Sequence, residues 1–124
     1  MSKNIPLNNR KGLLLVDAKR RLVLLIKRII MLEGQGNYTT FHLQGGIKKT
    51  YSHCLHTYEE ILIPYGFIRT HRGCIINKAL INKISDCQHR IMMEDNLVAT
   101  ISRRRRRNTD TLREILENSI SCVN

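Results

Sequence analysis

Between Gly12 and Ile101 the apolar residues come in short runs, broken by charged residues or by glycine, asparagine, aspartate and proline, and this punctuation restricts the fold more than any other feature. Short runs ended by turn-forming residues suit strands joined by tight turns. Gly12 to Val16 and Leu22 to Ile26, separated by Asp17-Ala18-Lys19-Arg20-Arg21, read as two strands and a turn. Ile29 to Glu33 reads as a third strand, ending in Gly34-Gln35-Gly36-Asn37, whose glycines and asparagine suit backbone angles that other residues avoid. Tyr38 to Leu43 and Ile47 to Tyr51, joined by Gly45-Gly46, form a predicted hairpin. Phe67 to Asn77 is extended chain interrupted at Thr70-His71-Arg72-Gly73. Leu80 to Ile84, Arg90 to Met93 and Leu97 to Ile101 complete the series, with Asp86 to His89 and Glu94 to Asn96 as turns.

Two segments change period. Leu55, Tyr58 and Leu62 fall at helical spacing behind Ser52 as N-cap, with Glu59 and Glu60 on the far side, so a short helix is expected near 52–62, stopped by Pro64-Tyr65-Gly66. Leu112, Ile115, Leu116 and Ile120 share one face of a second helix expected near 109–120.

Between the last strand and that helix stand five arginines, Arg103 to Arg107. A cationic run bracketed by folded elements is held in a fixed geometry and points to a polyanion. The whole chain agrees in sign, with 21 Lys and Arg against 10 Asp and Glu and a formal net charge of +11. Nucleic acid is the leading partner, although charge alone also suits anionic lipid or an acidic protein.

With 124 residues, 42% of them hydrophobic, the chain has material for one domain with a core and too little for two. The expected division is a flexible arm over 1–10 and a single domain over 11–121. The four cysteines stand singly and no secretory signal precedes the domain, which favours a reducing, cytoplasmic setting. The longest apolar stretch, Leu22 to Leu32, is broken by Lys27 and Arg28, far short of the roughly 18 residues of a membrane span.

Three segments combine turn geometry with hydrogen-bonding side chains: Glu33-Gly34-Gln35-Gly36-Asn37-Tyr38-Thr39, Phe67-Ile68-Arg69-Thr70-His71-Arg72-Gly73-Cys74-Ile75-Ile76-Asn77, and Ile101-Ser102-Arg103-Arg104-Arg105. Their order and spacing resemble the LytTR family of bacterial DNA-binding domains, with its ES-x-GNYT-like loop, F-x-R-x-H-R-S segment and [I/V]-S-R-R turn. The resemblance covers about Lys11 to Ile120. It implies a mainly β fold, an elongated sandwich of small antiparallel sheets, that binds DNA through loops. Carried over by motif position, it implies base contacts from Asn37 and Tyr38 in one major groove and from Arg103 and Arg104 in the next. His71 and Arg72 would meet the backbone between them.

The residue types suit those roles. Arginine's fork pairs with guanine O6 and N7, and asparagine's amide pairs with adenine N6 and N7. Ser102, Arg105, Arg106 and Arg107 are assigned to the phosphates, where contacts add affinity and salt dependence without reading sequence. Arg69 is expected to be scaffold through a carboxylate pair, and Asn77 through backbone hydrogen bonds. The chain departs from the family pattern at Gly73, usually serine, at Cys74, usually aromatic, and at Arg105 and Arg106, where many members carry an apolar or aromatic anchor.

Each signal has a plainer alternative. Asn37 also suits a turn simply as asparagine, and the arginine run also suits a localisation tract. His53-Cys54-x-His56 lacks the second pair of a zinc site, and no cysteine or serine sits in a nucleophile context. The expectation is a non-enzymatic bacterial transcription regulator, without cofactor, metal, small-molecule substrate or membrane span, and related to two-component systems. It is expected to bind paired promoter repeats in double-stranded DNA as two copies, with a homodimer on DNA as the candidate assembly. The arm is too short for a phosphoacceptor domain, which implies a stand-alone form or a fragment of a longer regulator. Two rivals remain: a general nucleic-acid or ribosome-associated basic protein, and an interaction module for an acidic partner.

Overall fold

The computed structural model describes residues 12–85 and 90–107, with the side chains of Arg106 and Arg107 excepted. The predicted 86–89 turn, the 109–120 helix and the 1–10 arm lie outside the described residues. Three antiparallel sheets carry the described residues. β1 (Leu13–Asp17) pairs with β2 (Leu22–Leu25) as an isolated hairpin. The main sheet has the order β5-β4-β3-β7-β6, formed by β3 (Ile29–Gln35), β4 (Tyr38–Leu43), β5 (Ile47–Ser52), β6 (Phe67–His71) and β7 (Cys74–Asn77). β8 (Ile81–Ile84), β9 (Arg90–Met93) and β10 (Val98–Thr100) make the third, ordered β10-β9-β8. The mainly β class and the stacked small sheets agree with the sequence reading.

The main sheet buries both faces, and the sequence of β3 explains how. A register shift between Ile29 and Met31 breaks the strict alternation, so neighbouring residues serve one side. Ile29 and Leu32 enter a first core with Phe41, Tyr58, Leu62 and Ile75, whereas Ile30 and Met31 enter a second with Ile76, Ile81, Ile91 and Met93. The first core lies under helix α1 (Leu55–Leu62) and β1, the second under the three-stranded sheet. Asp95 ties the second layer to the first, its Oδ2 accepting from the Gly45 and Gly46 amides of the β4–β5 turn at 2.8 and 3.3 Å.

The helix differs from expectation in two details. Ser52 does not cap it, because β5 runs on to pair Ser52 with Tyr38, and the preceding residue is Cys54, extended and without a side-chain cap bond. Leu55, Tyr58 and Leu62 are buried as predicted, but Glu59 is not on a solvent face: it meets Arg69 of β6 at 2.8 Å. Likewise Leu80 belongs to a 3-10 turn, so the following strand starts one residue late. Gly66, left-handed at φ +90°, ends the helical segment.

α1 also approaches β3 closely. A methyl group added at Gly34 would stand 3.0 Å from Leu55 Cβ, an atom fixed by the helix backbone. Gly34→Ala should therefore cost about 1 to 3 kcal/mol through overpacking, read as a lower urea midpoint at unchanged m value; an unchanged midpoint would contradict this contact.

Candidate nucleic-acid interface

The three segments singled out in the sequence are joined by hydrogen bonds. Gly34 N–H donates to the Gly73 carbonyl at 3.0 Å, linking the β3–β4 hairpin to the β6–β7 turn. Ser102 N–H donates to the Thr70 carbonyl at 2.8 Å, and the Arg105 guanidinium donates to the Arg69 carbonyl at 3.1 Å, linking that turn to the arginine run. A contiguous polar edge results.

At the hairpin tip Gly36 takes φ +63°, as the first central position of a II′ turn requires, and Asn37 follows it. Beyond the Gly34–Thr39 pair the tip holds one further pair, Gln35 opposite Tyr38, and the two turn residues. Asn37 and Tyr38 are exposed, Tyr38 at 57%, and neither side chain hydrogen-bonds to another described residue. The backbone below is fixed, with the Asn37 carbonyl accepting from His53 N–H at 2.8 Å.

The β6–β7 turn is shaped from inside. Arg69 donates from Nε to the His71 carbonyl at 3.3 Å and from Nη2 to the Arg72 carbonyl, while Nη1 reaches Glu59. Arg69 is thus scaffold paired to a carboxylate, as expected from the sequence. Asn77 is scaffold too, donating to the Ile29 carbonyl and accepting from Ala79 N–H. His71 Nδ1 accepts from Gly73 N–H at 3.0 Å, which leaves the neutral ring's proton on Nε2 as an outward donor. Arg72 is exposed. A side chain at Gly73 would meet only ordinary contacts, 3.6 Å from His71 Nδ1, so packing does not require glycine where the family usually has serine.

The arginine run begins a helix, α2 (Arg103–Arg107), rather than the turn the motif suggests. Ser102 explains the earlier start, since its Oγ accepts from Arg105 N–H at 3.2 Å as an N-cap does. Arg103 and Arg104 are exposed, without side-chain bonds to other described residues. Arg105 is half-buried, one of its donors engaged at Arg69, and so joins scaffold to surface.

Gln35, Lys48, Thr40, His71 and Thr100 line a groove of about 520 Å³ beside this edge. Gln35 and Lys48 were missed from the sequence. Strand alternation does put Gln35 on Tyr38's side of the hairpin, but nothing local to Lys48 shows that β5 borders the same groove. Cys74 lies beneath, in the second core, and burial pushes its thiol up to about 11, so it carries no charge at neutral pH. Cys54 is exposed, its thiol lowered chiefly by the Thr57 hydroxyl. Among the described residues no three His, Cys, Asp or Glu converge as a metal site, and no helix is long and apolar enough to cross a membrane.

Fold and interface define the class first: an antiparallel β module whose cationic and amide groups sit on turns and one helix start. The chain belongs to the LytTr DNA-binding domain family, whose model matches residues 19–117. Among solved structures it is similar to a LytTr DNA-binding domain assigned to a methyl-accepting/DNA response regulator from Bacillus cereus. That likeness has a TM-score of 0.66 at 20% identity, over 86% of this chain and 97% of the other. No curated protein matches.

Proposed function

We propose that this chain binds double-stranded DNA sequence-specifically as the output module of a bacterial transcription regulator, two copies engaging paired promoter repeats. The observation that carries this reading is the hydrogen-bonded union of three segments in which the side chains of Asn37 and Tyr38, His71 Nε2 and the Arg72 side chain, and the side chains of Arg103 and Arg104 make no hydrogen bonds to other described residues. Asn37 and Tyr38 enter one major groove and Arg104, with Arg103, the next. His71 and Arg72 meet phosphates across the minor groove between them. Ser102 and Arg105 to Arg107 add backbone affinity, with Arg105 limited by its bond to Arg69. The unit spans 11–121, with 1–10 as an arm. It acts in the cytoplasm by binding rather than catalysis, without cofactor or small-molecule substrate.

The test is selection from random duplexes at near-physiological salt. Enrichment of a repeated motif, bound well above the electrostatic background, is the expected result. Tight binding with no enriched motif would leave a general nucleic-acid binder, which the net charge of +11 also suits.

A further inference from the structure

We infer that Glu59 is a positioning residue for DNA binding, acting through Arg69 to hold the His71-Arg72 turn in the shape that meets the duplex backbone. The inference rests on the DNA-binding reading above. It starts from one guanidinium with three engaged donors: Nη1 to Glu59 Oε1 at 2.8 Å, Nε to the His71 carbonyl at 3.3 Å, and Nη2 to the Arg72 carbonyl. Two consecutive carbonyls converge on one planar group only when the turn folds over it. That fold draws the backbone inward and leaves the Arg72 side chain exposed.

The carbonyls alone do not orient the fork, because two neutral acceptors leave its third edge free to swing. A carboxylate does, since charged, geometrically matched bonds to arginine are the strong ones. Glu59 supplies it from α1, an element that contributes nothing to the outward groups, and both side chains are largely shielded from water at 17% and 19% exposure. His56 Nδ1 stands 3.6 Å from the same oxygen, on the solvent side of the pair. The chain of contacts then continues outward, through the Arg69 carbonyl to Arg105. One acidic residue on a helix thus fixes the middle of the three segments and touches the scaffold of the third.

The experiment compares wild type, Glu59→Ala, Arg69→Ala and the double variant. Affinity is measured over a salt series on the selected duplex and an unrelated one, with thermal melting alongside. Glu59→Ala should bind both duplexes about fivefold more weakly, and its slope of log affinity against log salt should fall by about one, as for one lost phosphate contact. The double variant should bind no more weakly than Arg69→Ala, because the effect of Glu59 passes through Arg69. Glu59→Gln, which keeps length and one acceptor oxygen, guards against misfolding and should show a smaller loss in the same direction. A lower melting temperature with affinity and slope unchanged would reduce the pair to a structural tie and overturn the inference. Failure of the wild type to bind any duplex would instead remove the DNA reading itself, and the inference with it.

Discussion

Phe41→Ala should lower the free energy of unfolding by about 3 to 5 kcal/mol, at the upper end of the range for truncating a buried side chain. Phe41 is fully buried at the centre of the first core, where the main sheet, α1 and β1 meet. Its ring lies edge-on to Tyr58 at 4.9 Å and to Tyr51 at 5.8 Å, so truncation removes two aromatic contacts as well as buried area. The cavity cannot collapse readily, because Phe41 is locked between β3 and β5 through Leu32 and Lys49. Phe41→Leu keeps most of the volume and should cost about 1 to 2 kcal/mol. Urea unfolding measures both, and a cost below about 1 kcal/mol for the alanine variant would mean that the first core is not organised around this ring.

Arg104→Ala and Arg107→Ala should separate reading from holding. Arg104 is exposed beside the capped helix start, its guanidinium unengaged by other described residues. Its loss should weaken binding to the preferred duplex by about 1 to 3 kcal/mol and relax selection at one base position. Arg107, further along the run, should lower affinity similarly on all duplexes and reduce the salt slope by about one unit. Titrations on the preferred and a scrambled duplex at three salt concentrations measure this. Equal behaviour of the two variants would contradict the division between Arg104 and Arg107.

Much of this architecture was legible because it is local. The Gly36-Asn37 tip, the Gly45-Gly46 turn and the stop at Gly66 each rest on a residue that tolerates a backbone angle others resist. The buried stripe of α1 followed from spacing alone, and the family resemblance supplied the order of the three segments. What was misread depends on distant partners. Glu59 faces away from the apolar stripe of its helix, so the helical pattern sends it to solvent; only the approach of β6, ten residues on, gives it Arg69. Ser52 looks like a cap until β4 claims it as a ladder partner. The start of α2 was hidden because five identical charges show no amphipathic period, although Ser102 ahead of them carried a capping signal. The groove residues Gln35 and Lys48 come from different strands and border one groove only through sheet registration.

The most direct measurement is backbone-amide mapping by NMR as the selected duplex is titrated into the protein. Shifts should concentrate at Gly36 to Tyr38, His71 to Gly73 and Ser102 to Arg104, and remain small along β2 and α1. Shifts centred instead on the exposed Leu22, Val23 and Leu25 of β2, with these three segments unmoved, would contradict DNA binding through the joined loops.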